Sequence, residues 1–254
     1  MKLLKLLYGA AAGAVIFQSF AVPDAERFLN PRLARIIFYH LPCALVTTVF
    51  LFVGVFYSVR YLQNRQWQNE VKAAAANEMG FMLAILTMVT GVLFSKVQWG
   101  QWWQWDPRQT SFLLVLLMFG AYSALRMAID NEEKRAVASA AYWAACAVPS
   151  AFLIFVFPRM PSIQNQSFHP SQTIASGGFD RAYSMTILEM LAVLLVFALW
   201  AYRARVATGL LEYQQEISNE GMDDRRRAPT TGVVRTVHVP TEDRSPVESG
   251  PGSR

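Results

Sequence analysis

Cysteine and histidine are both scarce in this chain, with two and three copies in 254 residues. Cys43 and Cys146 lie in different apolar stretches and belong to no Cys-x-x-Cys or Cys-x-x-Cys-His motif, which excludes thioether attachment of a c-type cofactor. Each reads as a small buried hydrophobe. Charge is scarce as well: Asp, Glu, Lys and Arg make up 16% of the chain, against about 25% in a soluble globular protein. That shortage excludes an ordinary water-soluble domain. Short alternating apolar segments, the mark of a trans-bilayer barrel, are missing too.

Long hydrophobic runs are what the chain has instead. Apolar residues make up 54% of it, gathered in six stretches: Leu3–Val22, Ile36–Ser58, Met79–Val97, Ser111–Leu125, Val137–Phe157 and Tyr183–Tyr202. Most approach the roughly 20 residues that carry a helix across a bilayer. The expected fold is an all-α integral membrane protein of six transmembrane helices. Lys2 and Lys5 precede the first run, which ends at Ser19-Phe20-Ala21. Its length favours an uncleaved helix over a signal peptide. The membrane domain is expected over residues 1–205, followed at 206–254 by a polar, largely disordered basic tail with a short helical extension at its start. The tail carries Asp223-Asp224-Arg225-Arg226-Arg227 and suits an anionic inner leaflet; no basic fold accompanies it, so nucleic acid is not an expected partner.

Six spans place both termini on one side. With those termini inside, Lys2, Lys5, Arg60, Arg65, Lys72, Arg126, Lys134, Arg135, Arg203 and Arg205 are ten inner charges. The outer ones number seven: Arg27, Arg32, Arg35, Lys96, Arg108, Arg159 and Arg181. The bias predicts cytoplasmic termini. His40, at the start of the second span, and His169, between spans five and six, then share the outer face with the loop between spans three and four. His238 falls in the tail.

That third loop holds the densest feature of the chain, Trp-Gly-Gln-Trp-Trp-Gln-Trp-Asp over 99–106, then Pro107-Arg108-Gln109-Thr110. Four of the seven tryptophans, Trp99, Trp102, Trp103 and Trp105, fall within seven positions. An interfacial aromatic belt explains one or two near a helix end. Four beside Asp-Pro-Arg suit a platform for a flat, apolar, partly charged ligand, of which haem is the obvious biological example. Two histidines on the same face could fill both axial positions of its iron; the alternative for each is a hydrogen-bonded structural residue. Pro42 is expected to disturb the helix beside His40, and Pro170 to hold His169 extended. Arg108 suits a propionate, a pairing with Asp106, or an interfacial position. Asp106 reads as orienting the segment. Glu189, inside the sixth run, is a functional candidate or a protonated carboxyl bonded to a neighbouring helix.

Three stretches carry a resemblance to a known family: Pro23-Asp24 with Arg35 to Ala44 (Arg-Ile-Ile-Phe-Tyr-His-Leu-Pro-Cys-Ala), Trp99 to Thr110, and Ser167-Phe168-His169-Pro170. Together with six spans in the same order, they make residues 1–205 resemble the haem exporter protein C family of cytochrome c maturation, within the tryptophan-rich haem-handling superfamily. Asp106 followed by Pro107 resembles the larger synthetase branch, but no histidine remains here for that branch's additional membrane histidines. Arg108 and Thr110 fit the exporter branch. The resemblance implies a delivery protein without bond-making of its own in the bacterial inner membrane. Haem b is held at the periplasmic face by His40 and His169 over Trp99, Trp102, Trp103, Trp105 and Asp106. It implies as partners a periplasmic haem chaperone, the ATPase and membrane subunits of an ABC-type transporter, and a small single-span protein. A cytochrome b-type electron carrier and a haem–apocytochrome c synthetase component are the competing readings.

Overall fold

A computed structural model describes residues 2–169 and 179–227, with side chains described through Asn219. The described residues are helical with connecting turns. They form α1 (Lys2–Ala21), α2 (Ile37–Asn64), α3 (Trp67–Trp99), α4 (Pro107–Ala128), α5 (Glu132–Ala145), α6 (Ala147–Ala151), α7 (Pro161–Gln164) and α8 (Arg181–Arg227). Six helical stretches are long and apolar enough to cross a membrane, the fifth being a broken run over Glu132–Arg159.

Local chemistry sets the ends of these helices. Arg65 takes a left-handed φ of 55° after α2, its N–H capping the Tyr61 carbonyl at 2.8 Å. Gly100 does the same after α3 at φ 81°, a conformation that costs glycine little. The Asp106 carboxylate accepts the Arg108 N–H and Pro107 opens α4, the favoured residue for a first helical position. Asn131 caps α5 through the Lys134 N–H.

The α2–α3 hairpin forms the centre. One buried cluster joins Val46, Phe50, Ala76 and Leu83 to Ala198 of α8. A second joins Leu51, Ala84, Val115 and Phe119 to Trp143 of α5. The Trp143 indole N–H would be costly to bury unpaired, and it donates to the Leu51 carbonyl at 3.2 Å. α1 leaves most of its surface exposed and joins α8 by polar contacts. Tyr8 donates to the Val193 carbonyl, and Gln18 Nε2 donates to Glu189 Oε2 at 2.6 Å and Thr186 Oγ1 at 2.8 Å. Gln18 is therefore the neighbouring-helix partner of the Glu189 carboxyl.

One local expectation meets a different outcome. α2 runs unbroken through Pro42, which forgoes the one backbone hydrogen bond its missing N–H would give to the Phe38 carbonyl, in a stretch where Phe38 and Pro42 are both buried in the bundle. The break falls in the fifth span, where Phe152–Val156 is π-helical and Phe157–Arg159 is 3-10. Pro149 and Pro158 bracket it, each removing one backbone donor. The sixth helix, in turn, runs on beyond its apolar run. The compact body reaches Tyr213, because Gly209 lies against Val71, Arg205 pairs with Glu78 at 2.7 Å, and Tyr213 stacks on Trp67 at 4.9 Å. The helix continues to Arg227; Pro170, His238 and the tail beyond 227 lie outside the described residues.

Candidate haem-binding site

At the end of the bundle where α2 begins and α3 ends, a cavity of about 280 Å³ opens. Irregular backbone at membrane depth is tolerated where it lines a cavity, and the π-helical break does so through Leu153, Ile154 and Phe155. Residues of α2, α3 and α4 supply most of the wall, which is largely apolar. Among the expected site residues, His40, Trp99, Asp106, Arg108 and His169 all line it.

His40 is held from α3. Its Nδ1 lies 3.1 Å from the Thr87 carbonyl and 3.1 Å from Thr90 Oγ1. Thr87 O can only accept, and the Thr90 hydroxyl spends its proton on the Leu86 carbonyl at 2.7 Å. The hydrogen therefore sits on Nδ1, and Nε2 keeps its lone pair. The ring lies against Gly91: a Cβ built there would stand 2.9 Å from His40 Cε1. Glycine is needed at 91 because the imidazole occupies the space a side chain would take.

His169 joins the same cavity from the loop after α7. The Asp106 carboxylate accepts the Ser167 hydroxyl at 2.9 Å and the Phe168 N–H at 2.6 Å. Trp99 meets Phe168 at a centroid distance of 6.0 Å. The loop is thus fastened to the tryptophan-rich segment. Burial pushes the His169 imidazole down to about 3, with Arg108 and His40 acting in the same direction and Asp106 against it. At neutral pH the ring is uncharged and able to donate a lone pair to a metal.

The tryptophans divide. Trp99 belongs to the cavity wall and packs edge-on to Phe94 at 5.5 Å. Trp102 and Trp105 are exposed, the latter at 76%, and are not among the cavity-lining residues. Trp103 is half-buried, edge-on to Trp105 at 5.9 Å, with its indole N–H unpaired among the described residues. Trp105 has φ 55°, rare for a bulky residue; this turn precedes Asp106 and sets it at the helix cap. Among the described residues Trp99 is thus the one of the four tryptophans that lines the cavity, while Trp102 and Trp105 are exposed and Trp103 packs against Trp105.

Several contributors escaped the sequence reading. Thr87, Thr90 and Gly91 sit in a featureless apolar run, and only their one-turn spacing on α3 hints at a shared face. Arg159 also lines the cavity; the neighbouring Pro158 was its visible signal. The Arg108 guanidinium makes no ion pair with Asp106, whose contact is with the Arg108 backbone N–H at 2.8 Å.

Comparison with known proteins points to one family. The model of the Heme exporter protein C family matches residues 2–228. The chain is 28% identical over 173 residues to Heme exporter protein C of Paracoccus denitrificans, covering 68% of this chain and 70% of that one. It is 30% identical over 162 residues to its namesake in Rhodobacter capsulatus, covering 63% and 64% respectively. A ccmC-like mitochondrial protein of cytochrome c biosynthesis from Marchantia polymorpha is 29% identical over 85 residues, 34% of this chain and 37% of that protein. The chain belongs to the Heme exporter protein C family.

Proposed function

We propose that this protein binds haem b at the outer face of the bacterial cytoplasmic membrane and delivers it to a periplasmic haem chaperone for cytochrome c assembly. His40 and His169 are the axial ligands, and no bond-making is catalysed by the chain itself. Trp99 lies along the porphyrin, while Trp102, Trp103 and Trp105 form the flange at which it is handed over. Asp106 orients the site and Arg108 receives a propionate. The transporter subunits and a small single-span protein work alongside.

One observation carries this reading. Two imidazoles from distant parts of the chain line a single, largely apolar cavity. Two histidines make half of a tetrahedral zinc site, whereas a porphyrin supplies four equatorial nitrogens and needs only two axial ligands. Haem supplies the iron chemistry when bound. The protein's own part is to hold neutral imidazoles in place, exclude water from the apolar wall, and present donors to carboxylates. With both axial positions closed, the iron is carried rather than used to activate oxygen.

The test is transfer. The purified, haem-loaded protein is mixed with the haem-free chaperone and the two are separated. The expected result is haem lost from this protein and gained by the chaperone. Haem that stays bound while electrons turn over with a quinone would contradict delivery and identify a cytochrome b-type carrier.

A further inference from the structure

Beside the imidazoles, the cavity holds two cations of the same sign. Arg108 of α4 and Arg159, at the end of the fifth span, both line it and lie close enough to repel each other. Five ion pairs occur among the described residues, and neither arginine takes part in any of them. Asp106, the carboxylate lining the same cavity, spends both oxygens on Arg108 N–H, Ser167 and Phe168 N–H.

Arg159 is fixed by the chain's own irregularity. Pro158 has no N–H, so the Ile154 carbonyl lacks the donor that an α-helix would give it. Arg159 Nη1 supplies that donor at 3.0 Å and reaches the Phe155 carbonyl at 2.9 Å. This occupies one corner of the guanidinium. Nε–H and the Nη2 hydrogens have no partner among the described residues, and that edge is the fork that binds a carboxylate side-on. Two arginines against one carboxylate leave this apolar cavity with a positive excess. Two guanidiniums without an ion-pair partner among the described residues suit a ligand that brings carboxylates of its own.

We propose that Arg159 is a carboxylate anchor which, together with Arg108, receives the two propionates of the porphyrin and thereby sets its orientation between the histidines. The proposal rests on the haem reading above. It makes Arg159 a specificity residue for dicarboxylate porphyrins rather than only a cap on the broken span.

The experiment titrates the haem-free, full-length protein in detergent with iron(III) protoporphyrin IX and with its dimethyl ester, following the Soret band. Wild type, Arg159→Gln, Arg159→Lys and Arg108→Gln are compared. Losing a charge-assisted bond is expected to weaken the free-acid porphyrin about tenfold or more in Arg159→Gln. Ester affinity should be unchanged in that variant, and Arg159→Lys should recover part of the loss. Arg108→Gln should show the same selectivity. Equal weakening of acid and ester would assign Arg159 to capping alone and overturn the proposal while leaving the haem reading intact. Unchanged affinity for the acid in Arg159→Gln would overturn it too. A wild-type protein that binds neither porphyrin would overturn the haem reading and the proposal with it.

Discussion

The Asp106 carboxylate accepts the Phe168 N–H at 2.6 Å, so the residue that closes the tryptophan-rich segment also holds the backbone next to His169. The two loops act as one unit. Asp106 need not touch a ligand to be indispensable to the site, since it fixes the strand of chain from which one imidazole projects.

Asp106→Ala should therefore behave as a His169 variant. Hydrogen bonds to a charged group contribute about 1.5–3 kcal/mol each, and this carboxylate accepts several. The expected spectrum of the haem-loaded Asp106→Ala protein has the low-spin component reduced, with the iron five-coordinate or water-bound. Asp106→Asn keeps one acceptor and should fall between. A wild-type spectrum in Asp106→Ala would show that His169 is positioned without it.

Gly91→Ala tests the other imidazole. The added Cβ would lie 2.9 Å from His40 Cε1, so the ring must move away from Thr87 and Thr90. We expect weakened axial ligation, with the helices intact by circular dichroism. Gly120→Ala is the matched control, because nothing lies within 4 Å of a Cβ there. It should be neutral or stabilise α4 by about 0.5–1 kcal/mol. Identical haem spectra in the two variants would refute the close packing of His40 on Gly91.

Acid should destabilise the haem-free protein through His169. Its folded value is about 3 and its ordinary value 6.5, so the unfolded chain binds the additional proton between those limits. The stabilising contribution is complete above pH 6.5 and declines as pH falls toward 3. Thermal midpoints in detergent should decrease from pH 7 to 4.5, and His169→Asn should flatten that slope. An unaltered slope in the variant would show that other groups account for the acid sensitivity.

Sidedness is open to direct measurement. Reporter fusions near Gln68 and in the tail should report cytoplasm, and a fusion near Gln164 should report periplasm. The inverse pattern would move the histidine cavity to the inner face and remove the basis for periplasmic delivery.

Much of this arrangement is legible in the amino-acid sequence, for identifiable reasons. A bilayer span needs a long apolar run, so hydropathy alone yields the six spans. Trp99, Asp106, His40 and His169 stand out because each residue type is rare or clustered. The shell around His40 is silent, since a carbonyl, a threonine and a glycine acquire meaning only when α3 packs on α2. The path of α2 through Pro42 depends on packing, since Phe38 and Pro42 are both buried against the rest of the bundle. The division among the tryptophans depends on the turn at Trp105. The fold of α8 past 205 depends on partners, Val71 and Glu78, far away in the chain. None of these is a local property.

The central claim is that His40 and His169 together hold one iron. Its most direct measurement is the absorption and electron paramagnetic resonance spectrum of the oxidised, haem-loaded protein and its single histidine variants. The wild type should be low-spin with bis-imidazole features. His40→Ala and His169→Ala should each shift to five-coordinate or water-ligated iron, added imidazole should restore the low-spin form, and His238→Ala should match wild type. An unaltered low-spin spectrum in either His40→Ala or His169→Ala would contradict the account.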